Sequence, residues 1–162
     1  MQRKSNNPKY KNVYKVTDDG IFGFFEEHRF LSNYHLMDIW YEGRLYPSTE
    51  NAYQAAKFPE SLRGKFQDIT PAESKVLGWS LKLSKESQEK WNSKRLGVMK
   101  ELQEIKYSDP VVQKMLMETG CKYLEETNYW MDVFYGVYNS KGENHLGKIL
   151  MVVRRNIGKC EL

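Results

Sequence analysis

In the stretch STENAYQAAKF at residues 48–58, an acid, a phenol, an amide and an amine recur at helical spacing. At about 100° per residue, Glu50, Tyr53, Gln54 and Lys57 share one helix face, and Ala52, Ala55 and Ala56 share the opposite one. The alanines let the back of such a helix lie close against its neighbours, while the polar row faces a space where it could act on a substrate. Glu50 falls in the first turn, where the helix dipole favours a charged carboxylate, so it suits a base better than an acid. Lys57 could grip a phosphate or, with its pKa lowered by burial, attack a sugar's C1 as an amine. The same row also fits an ordinary solvated face, and spacing alone does not choose.

The elements that must position this row are legible from punctuation. Ser48 is the expected N-cap, and Pro59 limits the far end because the residue before a proline is pushed out of helical geometry. Ahead of it, DIWYEGRLYP reads as two short strands joined across Glu42 and Gly43, and FGFF at 22–25 reads as a buried strand. Beyond it, Thr70, Pro71 and Glu73 form a capping box, and Asp109 with Pro110 starts another helix that Gly120 closes. Trp91, Arg95, Val98, Leu102 and Ile105 recur at helical spacing and read as a core-facing stripe. MDVFYGVY at 131–138 looks like a further strand, SKGENHLG like a tight loop, and Leu146, Ile149, Leu150 and Val153 mark a closing helix that Gly158 can cap. The expected fold class is α+β, a small mixed sheet surrounded by helices in a single domain with one core.

The 162 residues include 40% hydrophobic and 28% charged side chains, a balance that supports a folded chain with a water-facing surface. No stretch reaches the roughly 18 to 20 apolar residues of a membrane span, and the first residues lack a signal-like apolar core, so a cytoplasmic location and no membrane partner are expected. Cys121 and Cys160 are too isolated for a disulfide framework and are expected to be free thiols. The net charge of +4 is concentrated in residues 1–15, where Arg3, Lys4, Lys9, Lys11 and Lys15 occur without an acid. That segment reads as a flexible basic tail, able at most to attract phosphate-rich partners weakly, ahead of a domain at 16–162. His28, His35 and His145 show no metal-ligand spacing, so no metal and no cofactor are expected, and the motifs of serine hydrolases, P-loop proteins and dinucleotide-binding folds are absent.

FLSN at 30–33, GRLYPSTENAYQAAKF at 43–58, DVFYG at 132–136 and GENHLGKILMVVR at 142–154, with Gly78, Trp91 and Met99 between them, resemble the NADAR family in one order from about Phe22 to Arg155. The resemblance implies an N-glycoside hydrolase that separates a phosphorylated ribose from a base. The substrate would be either ADP-ribosylated guanine, including ADP-ribosylated nucleic acid, or a ribosylamino-pyrimidine phosphate of riboflavin biosynthesis. It places catalytic roles on Glu50, Lys57 and Asp132. Asn51 stands where the family usually has histidine, Trp79 where it often has arginine, and Tyr135 where it often has tryptophan, which changes the contacts at the first two points and leaves a smaller stacking face at the third.

Asn33, Arg44 and Asn144 are implied to line the pocket beside Gln54, although they could instead fix a turn, pair with Glu42 and cap the last helix. Tyr46, Trp130 and Tyr135 are candidates to stack on the departing ring, or core residues. Cleavage of a ribosyl C–N bond builds positive charge at C1, which a carboxylate stabilises. Glu50 is assigned as base and Asp132 as stabiliser, with a Schiff base on Lys57 as the other route. A module that binds ADP-ribose or a nucleotide without cleaving it is the alternative reading.

Overall fold

A computed structural model describes residues 2–158. In chain order the elements are β1 (Arg3–Lys4), β2 (Lys15–Val16), β3 (Gly20–Phe22), a 3-10 segment (Glu26–Leu31), β4 (Leu36–Tyr41), β5 (Arg44–Ser48), α1 (Thr49–Ala56), α2 (Glu60–Arg63), a second 3-10 turn (Gly64–Phe66), α3 (Pro71–Ser80), α4 (Lys85–Lys106), α5 (Pro110–Glu118), β6 (Tyr123–Glu125) and α6 (His145–Ile157). The fold class is α+β, with small sheets and helices as expected. The chain divides into two compact units, one from Met1–Ser32 with Asp109–Leu162 and one from Asn33–Ser108.

In the central unit, β4 and β5 form the expected antiparallel hairpin, with Ile39 opposite Tyr46 and Tyr41 opposite Arg44. Glu42 and Gly43 both take positive φ, 46° and 76°, as a two-residue turn matched to strand twist requires. The chain then passes directly from Ser48 into α1, whose N-cap is the Ser48 side chain accepting from the Asn51 N–H. The helix packs against β5, α3 and α4. The capping box on α3 is complete, and in α4 Trp91, Met99, Leu102, Gln103 and Lys106 are buried. The expected stripe is thus right at Trp91 and Leu102, while Val98 and Ile105 are only half-buried.

The other unit holds a mixed sheet in the order β1-β2-β3-β6, antiparallel except for the parallel β3–β6 pair. The strand read at 22–25 lies at Gly20–Phe22 instead: Gly23, at φ 76°, turns the chain so that Phe24 and Phe25 enter the core outside the ladder. The strand read at 131–138 is absent: only single bridges, Thr127 to Val137 and Tyr138 to Lys141, occur there. Asn128 takes the place of a strand partner. Its amide donates to Asp132 O and Val137 O, and its Oδ1 accepts from the N–H groups of Trp130 and Asp132, which coils the loop on itself. The closing helix forms as α6, with Leu146, Leu150 and Val153 buried and Gly158 as its C-cap.

The segment read as a flexible basic tail is structured. Arg3–Lys4 pairs with Lys15–Val16, Tyr14 is buried, Tyr10 stacks on Phe25 at 4.4 Å, and Arg3 bonds Glu27. Its tyrosines anchor it, a contribution that counting charges passes over. Cys121 is disulfide-bonded rather than a free thiol. The free-thiol expectation rested on the isolation of the two cysteines in sequence, whereas proximity in the folded chain sets whether a disulfide can form. Cys160 lies outside the described residues.

Candidate active site

The polar row on α1 is buried up to Lys57, which is half-buried. Glu50, Gln54 and Tyr53 are each less than a tenth exposed, so the solvated reading of this face is excluded. The side chains form a relay: Gln54 Nε2 donates to Glu50 Oε1 at 2.7 Å, and Lys57 Nζ donates to Gln54 Oε1 at 2.7 Å. Lys57 Nζ also lies 5.4 Å from the Tyr53 ring centroid, and Tyr53 meets Trp91 edge-on at 5.0 Å. An amide between acid and amine keeps both ends of the row oriented without joining them in a direct ion pair.

Burial lowers the Lys57 pKa from its ordinary value, because the charged ammonium loses water; the Glu50 charge acts in the opposite sense, and Lys75 and Arg95 reinforce the lowering. Lys75 lies on α3 and Arg95 on α4, where the helical spacing placed Arg95 in a core-facing stripe rather than beside Lys57. They give this end of α1 a cationic surrounding suited to an anionic substrate group.

Asn51, at the position of the family's usual histidine, is wholly buried and structural. Its amide donates to Phe66 O at 2.9 Å and Ile69 O at 2.8 Å, while its Oδ1 accepts from Ser48 Oγ at 2.5 Å. It therefore ties the start of α1 to the chain that leads into α3. Trp79, at the position of the frequent arginine, is 72% exposed with Lys75 Nζ 6.0 Å from its ring.

Around the row, Asn33 O accepts from the Glu50 N–H at 3.0 Å, and Asn33 Oδ1 accepts from Gln103 Nε2 at 2.7 Å. Asn33 thus braces the first turn of α1 and is itself braced by α4, a role for Gln103 that no spacing in the sequence indicated. Arg44 does not pair with Glu42, which bonds Arg63 instead; Arg44 Nη2 lies 3.5 Å from Glu60. Tyr46 is 1% exposed and belongs to the core side of the hairpin, with burial raising its hydroxyl pKa. No ring face is left there for stacking.

The remaining candidates belong to the other unit. Asp132 Oδ1 accepts from the N–H groups of Phe134 and Tyr135, both at 2.9 Å, which fixes the start of that turn. Trp130 is 38% exposed and meets Phe25 and Tyr129 edge-on, and Tyr135 is half-buried against Phe134. Asn144 is buried, with its amide donating to Leu124 O and Tyr123 Oη and its Oδ1 accepting from the Glu126 N–H. It holds β6 rather than capping α6 by its side chain, which makes no cap bond. Among the described residues no group of three His, Cys, Asp or Glu could hold a metal ion, and no helix is long and apolar enough to cross a membrane.

The fold is that of the NMR structure of Escherichia coli YbiA, with a TM-score of 0.73 at 24% identity over 95% of this chain and 91% of that one. The chain belongs to the NADAR family, whose domain matches residues 12–158. N-glycosidase YbiA of E. coli is 27% identical over 157 residues, covering 91% of this chain and 94% of that protein. An N-glycosidase of Nostoc punctiforme is 30% identical over 152 residues, covering 89% and 90%. A riboflavin biosynthesis protein of Vibrio vulnificus is 32% identical over 143 residues; the match takes in 82% of this chain and only 36% of that longer protein. Family and relatives make this chain an enzyme of the N-glycosidase class.

Proposed function

We propose that this enzyme hydrolyses the C–N bond between the C1 of a phosphorylated ribose and a base-like ring, with Glu50 as the base and Lys57 as the essential cation. The buried Glu50–Gln54–Lys57 relay carries this reading, since it holds an acid and an amine in a low-dielectric row on one helix. As the C–N bond breaks, positive charge grows on C1 and the ring oxygen, and a fixed carboxylate stabilises that charge more than it stabilises the substrate. Water supplies the hydroxyl that bonds to C1 and Glu50 accepts its proton; the departing nitrogen leaves with the bond's electron pair and takes up a proton from solvent, to which Glu50 returns its own. Asp132 is the second carboxylate, assigned to charge stabilisation on the family resemblance.

The name of the Vibrio relative favours a ribosylamino-pyrimidine phosphate of riboflavin biosynthesis as substrate. ADP-ribosylated guanine, free or in nucleic acid, is the second reading and rests on the family resemblance. Both present phosphate to the cationic end of α1. Incubation with each substrate in turn, following release of the free base or amine, decides between them. Release from neither, with binding retained, would sink the hydrolase reading in favour of a nucleotide-binding module.

A further inference from the structure

The unit containing the N-terminal sheet has a cavity of about 680 Å³, within the range of small-molecule sites. Lys4, Lys11, Lys15 and Lys148 all line it, against two acids, Glu125 and Glu143. Three of these lysines are placed where electrostatics alone disfavours them. Lys4 stands directly opposite Lys15 in the β1–β2 register, and like charges so opposed are destabilising. Lys148 lies one turn into α6, near the positive end of the helix dipole, where a cation is again unfavourable and no acid occupies the first turn. Among the described residues, none of the four makes an ion pair with an acid. Phe22 and Tyr123, with centroids 6.0 Å apart, supply an aromatic side, and Lys15 Nζ sits 4.4 Å from the Phe22 centroid.

We infer that this cavity, whose lining includes no residue of the α1 row, is a second binding site, for a ligand carrying two or more linked phosphates. Such a polyanion reaches several ammonium groups at once and turns the repulsion at Lys4–Lys15 and at the start of α6 into attraction. A single phosphate engages fewer of them and binds more weakly.

The test is calorimetry on the full chain at low ionic strength, with inorganic pyrophosphate, orthophosphate and ADP as probes. Pyrophosphate is expected to bind at least about tenfold more tightly than orthophosphate and to weaken steeply with added salt. The Lys11→Gln/Lys148→Gln double variant, altered at exposed positions, should lose about tenfold or more of that affinity, and Lys148→Arg should keep it. ADP binding tighter than pyrophosphate would identify a nucleotide as the source of the phosphates, and equal affinities a free inorganic ligand. No pyrophosphate binding, or binding that survives the double variant and disappears with Lys57→Ala, would overturn the inference. The latter would place the anion at the α1 row. Loss of hydrolysis in Glu50→Gln with pyrophosphate binding intact keeps this site distinguishable from the proposed reaction.

Discussion

Gly78 on α3 approaches Gln54 on α1 so closely that a Cβ at Gly78 would lie 2.1 Å from Gln54 Oε1. That oxygen is the atom that accepts from Lys57, and Gln54 is buried, so it has little room to give way. A glycine that packs two helices together also fixes the middle of the acid–amine relay. Its place among the landmarks of the family resemblance has this physical content.

Gly78→Ala should therefore act on the relay more than on the fold. Alanine is the better helix former by about 1 kcal/mol, which offsets part of the steric cost. The expected result is a modest change in melting temperature with at least about tenfold lower turnover. Full turnover in a folded variant would show that the relay tolerates displacement.

Glu50→Gln preserves size and leaves an oxygen that can still accept from Gln54. It removes the charge and the base. Turnover should fall about 100-fold or more, the usual scale for losing a general base. Near-normal turnover would move the base to Asp132.

Lys57 separates two chemistries. Its lowered pKa increases the neutral, nucleophilic fraction at a given pH. If the amine attacks C1, borohydride added during turnover traps a covalent adduct on Lys57, because an imine is reducible. If Lys57 only holds phosphate, no adduct forms and Lys57→Arg keeps part of the activity. An active Lys57→Ala variant with unchanged affinity would exclude both.

His28 gives a stability prediction of definite sign. Its Nδ1 lies 2.8 Å from Tyr14 Oη, and burial lowers its pKa below 6.5, with Glu27 opposing and Arg3 and Lys122 adding to the shift. As pH falls below 6.5 the unfolded chain takes up this proton before the folded one does, so stability drops and then levels below the folded pKa. His28→Gln should flatten the melting temperature over that window. An unchanged slope would assign the acid sensitivity to other groups.

What the sequence determined by itself was local. The turn at Glu42–Gly43, the caps at Ser48, Thr70 and Asp109, and the sharing of one face by Glu50, Gln54 and Lys57 depend on residues a few positions apart, whose propensities and periodicity are written in order along the chain. Tertiary structure decided what depends on distant partners. The α1 row is buried because α3 and α4 cover it, Gly78 meets Gln54 from 24 positions away, and β3 pairs in parallel with β6 a hundred residues on. The same cause explains the failures. Residues 131–138 have strand composition, yet Asn128, Asp132 and the chain at 143–146 take up their backbone groups and no ladder forms; the basic segment has tail composition, yet Tyr10 and Tyr14 find apolar partners. Composition sets which side chains can be buried, and only the folded chain sets which neighbours bury them.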